Sequence, residues 1–168
     1  PDPVQLQALA AKLAEDHVSH LAIEASSHGL SQYRLDGLRL TAAAFTNITR
    51  DHLDYHPTFD DYFEAKMRLF GELLPAGARA VINMDSPHGE EVRIRAEARG
   101  LSTFTVGQKG HHIRLAQAKR EGLEQHLTLE TPSGSHVITL PLVGDFQASN
   151  AIVAAGLVLP TAWKFLRQ

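Results

Sequence analysis

Residues 59–74 carry a helical repeat of apolar side chains that is interrupted by one lysine. On a helical wheel the apolar residues share one face, which predicts an amphipathic helix packed against a core. Lys66 lies near the middle of that face. The charged residues Asp60, Asp61, Glu64 and Arg68 point away from it and are expected to be solvated. The apolar residues are Phe59, Tyr62, Phe63, Met67, Phe70, Leu73 and Leu74.

For a lysine among aromatic side chains, three outcomes are physically open. Lys66 can snorkel to the rim of its helix, or it can form a buried ion pair with Asp51 or Asp54. Alternatively, burial can lower its pKa and leave a neutral amine. A neutral amine can add carbon dioxide to give a carbamate, an anion whose two oxygens suit Mg²⁺. The residues alone leave the three alternatives open.

Two polar clusters follow apolar runs that we predict to be strands, His20–Ala25 and Leu40–Thr46. Ligands of open α/β sheets bind at the carboxyl ends of the strands, so parallel neighbours would bring both clusters to one edge. Carboxylates with neutral oxygens suit Mg²⁺, and zinc is not selected because no HExxH spacing is present. The side chains are Glu24, Ser26, Ser27 and His28, then Asn47, Asp51, His52, Asp54 and His56.

An arginine with an amide neighbour follows the first cluster, at Gln32 and Arg34. A guanidinium next to an amide is suited to gripping a carboxylate or a phosphate. This pair alone is a weak signal, because surface arginines are common.

Alternating strands and helices predict an α/β fold, a mostly parallel sheet flanked by helices, in a single domain. The pattern then changes to a small antiparallel β meander near residues 112–140, with turns at Gly122 and Pro132–Gly134. Predicted helices are Val4–Asp16, the Lys66 helix, 86–99 and 146–159. Further predicted strands are 78–83, 102–106, 112–118, 123–130 and 136–140.

Composition excludes several classes of protein. A net charge of −3 gives no reason to expect nucleic-acid binding, and no apolar run approaches the length needed to cross a membrane. The absence of cysteine removes disulfides and thiolate metal sites and fits a cytoplasmic location. We also expect a monomer. Because the chain starts with Pro1, we expect it to be part of a longer protein.

Four motifs resemble the central domain of the Mur ligases in their order and spacing, and together they cover nearly the whole chain. They resemble most those members that add the third amino acid, meso-diaminopimelate or L-lysine, to the peptidoglycan stem peptide. The motifs are EASSHGLSQYRLDG (Glu24–Gly37), FTNITRDHLDYH (Phe45–His56), DYFEAKMRLF (Asp61–Phe70) and GDFQASNAIVAAG (Gly144–Gly156).

The resemblance implies an ATP-dependent ligase that adds meso-diaminopimelate to UDP-N-acetylmuramoyl-L-alanyl-D-glutamate through an acyl phosphate, in peptidoglycan biosynthesis. It implies Mg²⁺ as cofactor and ATP as substrate, with a diamino acid as the second substrate. Its implied residues are Glu24, His52 and a carbamylated Lys66 at the metal, with His52 and Lys66 catalytic. Ser26, Gln32 and Arg34 would bind the UDP-muramoyl dipeptide, and Asn150 would contact ATP.

The chain also departs from the family pattern. No GxxxxGK[ST] phosphate loop is present, and Gln147 stands where asparagine is usual. We therefore expect the phosphate loop and the amino-acid-selecting C-terminal domain to lie outside this chain, and the 168-residue piece alone to be inactive.

Four alternatives remain at this point. The first is an L-lysine-adding ligase of the same step, and the second is a domain that keeps the fold but only binds. The third is a metal-dependent hydrolase built on the Asp/His cluster, which gives Lys66 no role. The fourth is a ligase that adds glutamate to a folate, which Gln32 and Arg34 disfavour.

Overall fold

The computed structural model describes residues 2–48 and 55–162, in which six strands form one sheet in sequence order. The first four strands run parallel, and the last three form an antiparallel meander. The α/β fold predicted from the sequence is therefore confirmed. The strands are β1 (Ala42–Phe45), β2 (Arg79–Asn83), β3 (Ser102–Gly107), β4 (Ile113–Glu121), β5 (Glu124–Thr131) and β6 (Gly134–Leu140).

Helices cover both faces of the parallel part of the sheet. Along β2, Ala80 and Ile82 join the core beneath α3 and α4, while Val81 faces α5. A strand buried on both faces reads as a continuous apolar run, as β2 does. The helices are α1 (Pro3–Glu15), α2 (Ser27–Ser31), α3 (Phe59–Arg68), α4 (Gly89–Ala98) and α5 (Asp145–Ala162). None of the helices in the described part of the chain is long and apolar enough to span a membrane.

The Lys66 helix forms as predicted, with one difference at its end. Thr58 caps α3 by accepting a hydrogen bond from the Asp61 backbone N–H at 3.1 Å. After Arg68 the chain continues as a π-helical turn, Leu69–Leu73, rather than as α-helix. The apolar face is buried or partly buried throughout, as the pattern predicts.

The predicted strand His20–Ala25 is wrong. A strand is made by hydrogen bonds to a neighbour, and within the described residues β1 pairs only with β2. Leu21 and Ile23 are accordingly exposed. The polar turn predicted after this segment is instead the short helix α2, with Ser26 as its N-cap. An alternating apolar pattern therefore indicated a strand without supplying a partner for it.

His112 bonds to the part of β3 that β4 does not pair with. β3 pairs with β4 only through the last two residues of β3, Val106 and Gly107, and the backbone N–H of Thr105 donates to His112 Nδ1 at 3.0 Å. The His112 backbone N–H returns a bond to the Thr105 carbonyl at 3.0 Å. This arrangement requires an unprotonated Nδ1, and burial, with His111 and Arg79 nearby, lowers the pKa of His112.

α5 packs closely against the sheet at Gly156. A Cβ built there would lie 2.7 Å from Val81 Cγ1 and 3.2 Å from Phe104 Cδ1. A side chain at this position would therefore force Val81 or Phe104 to move, so glycine is favoured here by packing rather than by its backbone freedom.

We expect Gly156→Val to destabilise the protein by about 1–3 kcal/mol through overpacking. Thermal unfolding should show a lowered Tm. Gly71→Ala is the matched control, because a Cβ at Gly71 meets nothing within 4 Å and should leave the Tm nearly unchanged. An unchanged Tm for Gly156→Val would contradict the packing described here.

A second prediction concerns pH. Because the folded-state pKa of His112 is lowered, the neutral ring stabilises the fold fully above the ordinary histidine pKa of about 6.5. That stability is lost as the pH falls below this value towards the lowered folded-state pKa. His112→Asn keeps an acceptor but cannot titrate, so its free energy of unfolding should fall less between about pH 7.5 and pH 5. The control His136→Asn alters an exposed histidine and should follow the wild type.

Candidate functional site

The carboxyl ends of β1 and β2 are joined by one buried amide. Asn83 Nδ2 donates to the Thr46 carbonyl at 2.8 Å and to Ser149 Oγ at 3.0 Å, while its Oδ1 accepts from the Asp85 backbone N–H. These bonds fasten the amino-terminal half of α5 to the ends of two strands. Asn47 also lies at this edge and accepts a hydrogen bond from Ser86 Oγ at 3.3 Å.

Lys66 is half-buried, and its amine points at the chain segment before α2. Its Nζ donates to the Ala25 carbonyl at 2.9 Å, across a separation of 41 residues in sequence. Burial lowers the pKa of Lys66, and the negative charge of Glu24 opposes that shift. The half-buried amine is thus engaged with a backbone carbonyl, and Glu24 is the carboxylate whose charge acts on it.

The two predicted clusters are treated differently by the structure. It places Glu24 close enough to Lys66 to influence its pKa, although His20–Ala25 is not a strand. Asp51, His52 and Asp54 lie outside the described residues, so the predicted role of His52 stays a prediction. Within residues 2–48 and 55–162 no three His, Asp or Glu side chains gather in a way that would hold a metal.

Ser26 has a structural role that the sequence did not reveal. Its Oγ accepts a hydrogen bond from the Gly29 backbone N–H at 3.0 Å and so caps α2. Its side chain is exposed and one residue away from the carbonyl that Lys66 contacts. The hydroxyl can still donate to a ligand while its oxygen accepts from the helix.

Gln32 and Arg34, predicted as a pair, contact each other. Arg34 Nη2 donates to Gln32 Oε1 at 2.5 Å, and Gln32 Nε2 donates to Tyr55 Oη at 3.2 Å. Ser31 Oγ also approaches Tyr55 Oη, at 3.4 Å. The hydrogen bonds from Ser31 and Gln32, with the charge of Arg34, lower the pKa of Tyr55.

Tyr55 is the member of this network that sequence reasoning missed. Its ring lies 3.6 Å, centroid to centroid, from the ring of His28 on α2, and it stands nearly perpendicular to the ring of buried His56. Its place inside the Asp/His-rich segment was the available signal, but the spacing pointed to the charged residues around it. The result is a donor-rich surface of Gln32, Arg34 and Tyr55.

Asn150 lies on a different layer from Lys66. It is exposed on α5, which packs on the face of the sheet opposite α3, next to the Ser149–Asn83 bond. Asn150 and Lys66 thus belong to helices on opposite faces of the sheet. No contact of Asn150 tests its predicted role.

This α/β domain, with a half-buried lysine beside a carboxylate, matches one protein family. The model of the Mur ligase middle domain matches residues 1–158, and the chain therefore belongs to that family.

Two relatives and one solved structure carry the same enzyme name. The chain is 50% identical over 161 residues to the UDP-N-acetylmuramoyl-L-alanyl-D-glutamate–2,6-diaminopimelate ligase of Brucella melitensis, covering 96% of this chain and 33% of the relative. It is 48% identical to the ligase of the same name from Bradyrhizobium diazoefficiens, covering 96% and 34%. A solved structure of a ligase with that name superimposes with a TM-score of 0.87 at 31% identity, covering 96% of this chain and 34% of that one. The chain thus spans about a third of the length of these relatives.

We expect Asn83→Leu to destabilise the protein by about 2–4 kcal/mol, because two carbonyl or hydroxyl acceptors and one N–H lose their partner in a buried place. Chemical denaturation measures this directly. Asn150→Ala is the control, since Asn150 is exposed and its loss should leave the free energy of unfolding nearly unchanged. Equal stabilities for the two variants would contradict the role given to Asn83.

Proposed function

We propose that the protein containing this domain is an ATP-dependent ligase that adds meso-diaminopimelate to UDP-N-acetylmuramoyl-L-alanyl-D-glutamate, in peptidoglycan biosynthesis. The D-glutamate carboxylate is phosphorylated by ATP, and the incoming amine attacks the acyl phosphate and expels phosphate. The observation that carries this proposal is the half-buried Lys66 amine beside Glu24, in a chain of the Mur ligase family.

The chemistry of Lys66 supports its role as a carbamate. A lowered pKa enlarges the share of neutral amine, whose nitrogen forms a bond to the carbon of carbon dioxide and releases a proton. While Lys66 is an ammonium, its charge and that of Glu24 sum to zero, which does not suit a cation. After carbamylation they present two anionic oxygen groups, the ligand type that Mg²⁺ prefers.

The proposed donor groups suit Mg²⁺ when Lys66 is carbamylated. Glu24, the Lys66 carbamate and His52 are the proposed ligands, with His52 and Lys66 as the catalytic residues. When bound, Mg²⁺ neutralises charge that builds up as the γ-phosphoryl group moves. The chain would supply the Glu24 carboxylate and a Lys66 carbamate carried by α3, whose nitrogen contacts the Ala25 carbonyl.

The muramoyl dipeptide is assigned to the surface formed after α2. Arg34 offers charged N–H donors for a carboxylate or phosphate, and Gln32 fixes its direction through their mutual hydrogen bond. Ser26 adds a hydroxyl near the metal side. Asn150 is proposed to contact ATP from α5.

The phosphate cradle for ATP is proposed to come from another part of the protein. No GxxxxGK[ST] occurs in these 168 residues. We likewise assign selection of the amino acid to a domain outside this chain, and expect these 168 residues alone to be inactive. The reaction is placed in the cytoplasm, where ATP is supplied, with the protein acting as a monomer.

Two alternatives are less well supported. An L-lysine-adding ligase would use the same central domain, but both relatives described above are named for 2,6-diaminopimelate. A domain that only binds would have no use for a desolvated lysine beside a carboxylate. These observations favour the diaminopimelate-adding ligase.

We predict that Lys66→Ala in the full-length protein lowers the rate of ligation at least about 100-fold, because one metal-binding group is lost. The domain should remain folded, since the apolar face of α3 keeps its other side chains. Ligation is measured by ATP-dependent formation of the UDP-muramoyl tripeptide.

The matched control is Lys12→Ala, which removes an exposed lysine from α1 and should leave ligation unchanged. Normal turnover by Lys66→Ala would contradict the role of the carbamate. Absence of tripeptide formation by the wild-type, full-length protein would contradict the proposed function itself.

A further inference from the structure

Arg68 lies two residues after Lys66, and its guanidinium contacts three separate oxygens. Nη2 donates to Asp36 Oδ2 at 2.8 Å, Nε donates to Glu72 Oε2 at 2.7 Å, and Nη1 donates to the Leu30 carbonyl. Its side chain is only 14% exposed. The helical wheel indicated a solvated residue here, and that expectation is wrong because the loop after α2 covers this face of α3.

The loop after α2 contains an unusual backbone conformation at Tyr33. Its φ is +57°, in the left-handed region where glycine is the common residue. The Arg34 backbone N–H donates to the Gly29 carbonyl at 2.9 Å, and the Tyr33 N–H donates to the Leu30 carbonyl at 3.2 Å. These two bonds are the Schellman motif that closes a helix, here with tyrosine in the place of glycine.

Arg68 supports this turn from two directions. Its Cζ lies 4.2 Å from the centre of the Tyr33 ring, and Nη1 contacts the same Leu30 carbonyl that accepts the Tyr33 N–H. Asp36, which follows the turn, is held by the third contact. A left-handed tyrosine is strained by about 1 kcal/mol or more, and it persists only where its surroundings hold it.

The turn matters because Gln32 and Arg34 flank Tyr33. Their side chains meet in a hydrogen bond of 2.5 Å across the left-handed residue. If Tyr33 returned to an ordinary backbone region, the direction of the chain after Gln32 would change. The Gln32–Arg34 pair would then lose its alignment while Lys66 stayed in place on α3.

We propose that Arg68 is a positioning residue for the muramoyl dipeptide: it holds the left-handed turn at Tyr33 and thereby aims Gln32 and Arg34. This inference rests on the proposed function and goes beyond it. Arg68 touches no reacting group, and it connects the loop that carries Gln32 and Arg34 to α3, which carries Lys66. The same helix therefore sets the distance between Lys66 and the proposed dipeptide-binding residues.

The test is steady-state kinetics of the full-length protein carrying Arg68→Lys. Lysine keeps the positive charge but cannot reach three oxygens in one plane. We expect the KM for UDP-N-acetylmuramoyl-L-alanyl-D-glutamate to rise about 10-fold or more, because the loop loses its preorganisation. The KM for ATP and kcat at saturating dipeptide should stay within about threefold.

The matched control is Arg93→Lys on α4. Arg93 also bonds two carboxylates, Glu90 and Glu97, but all of its partners lie on its own helix. Its kinetic constants should equal those of the wild type. A control with the same rise in dipeptide KM would overturn the assignment to Arg68.

Rescue supplies a readout that a purely structural role would not give. Glycine adopts the left-handed region without strain, so Tyr33→Gly in the Arg68→Lys background should lower the dipeptide KM towards the wild-type value. No rescue, or a lowered Tm with unchanged KM values, would contradict the inference. If the wild-type protein ligates and the Arg68→Lys variant has the same KM for the dipeptide, the inference is contradicted but the proposed function is not. Wild-type protein that neither binds nor ligates the dipeptide would defeat the proposed function and the inference together.

Discussion

The contact between Lys66 Nζ and the Ala25 carbonyl joins the two parts of the candidate site. On one side is α3, whose apolar face is buried in the core. On the other is the segment before α2, which has no strand ladder in the described residues to hold it. The burial that lowers the pKa of the Lys66 amine also favours its hydrogen bond to a neighbouring backbone oxygen. Glu24 then supplies the charge that a half-buried ammonium needs.

The end of α3 organises more than the lysine. Lys66 contacts Ala25, while Arg68 contacts Leu30 and Asp36, so two side chains two residues apart reach both ends of the segment around α2. The contacts of Arg68 lie beside Tyr33, which has a left-handed backbone conformation. Its two neighbours, Gln32 and Arg34, are proposed to bind the dipeptide. The geometry of a loop outside regular structure therefore depends on contacts from a helix packed in the core, which is how a precise site can be built on a loop.

The periodic patterns predicted most of the fold. Apolar spacing identified α3 and its buried face, and the change from strand–helix alternation to closely spaced strands identified the meander. The prediction of a strand at His20–Ala25 was wrong because alternation describes side chains, whereas a strand needs a hydrogen-bonded neighbour. The prediction that Arg68 is solvated was wrong for a similar reason, since a helical wheel shows which face a residue occupies but not which loop covers that face. Long-range contacts of this kind cannot be obtained from local periodicity.

The proposed chemistry of the site depends on Lys66 being carbamylated when Mg²⁺ and nucleotide are bound. The most direct measurement is a ¹³C NMR spectrum of the full-length protein with ¹³C-labelled bicarbonate, compared with its Lys66→Arg variant. The account predicts a carbamate carbon resonance in the wild type that is absent from the variant. The same spectrum for both proteins, in a wild-type sample that is active in ligation, would contradict it.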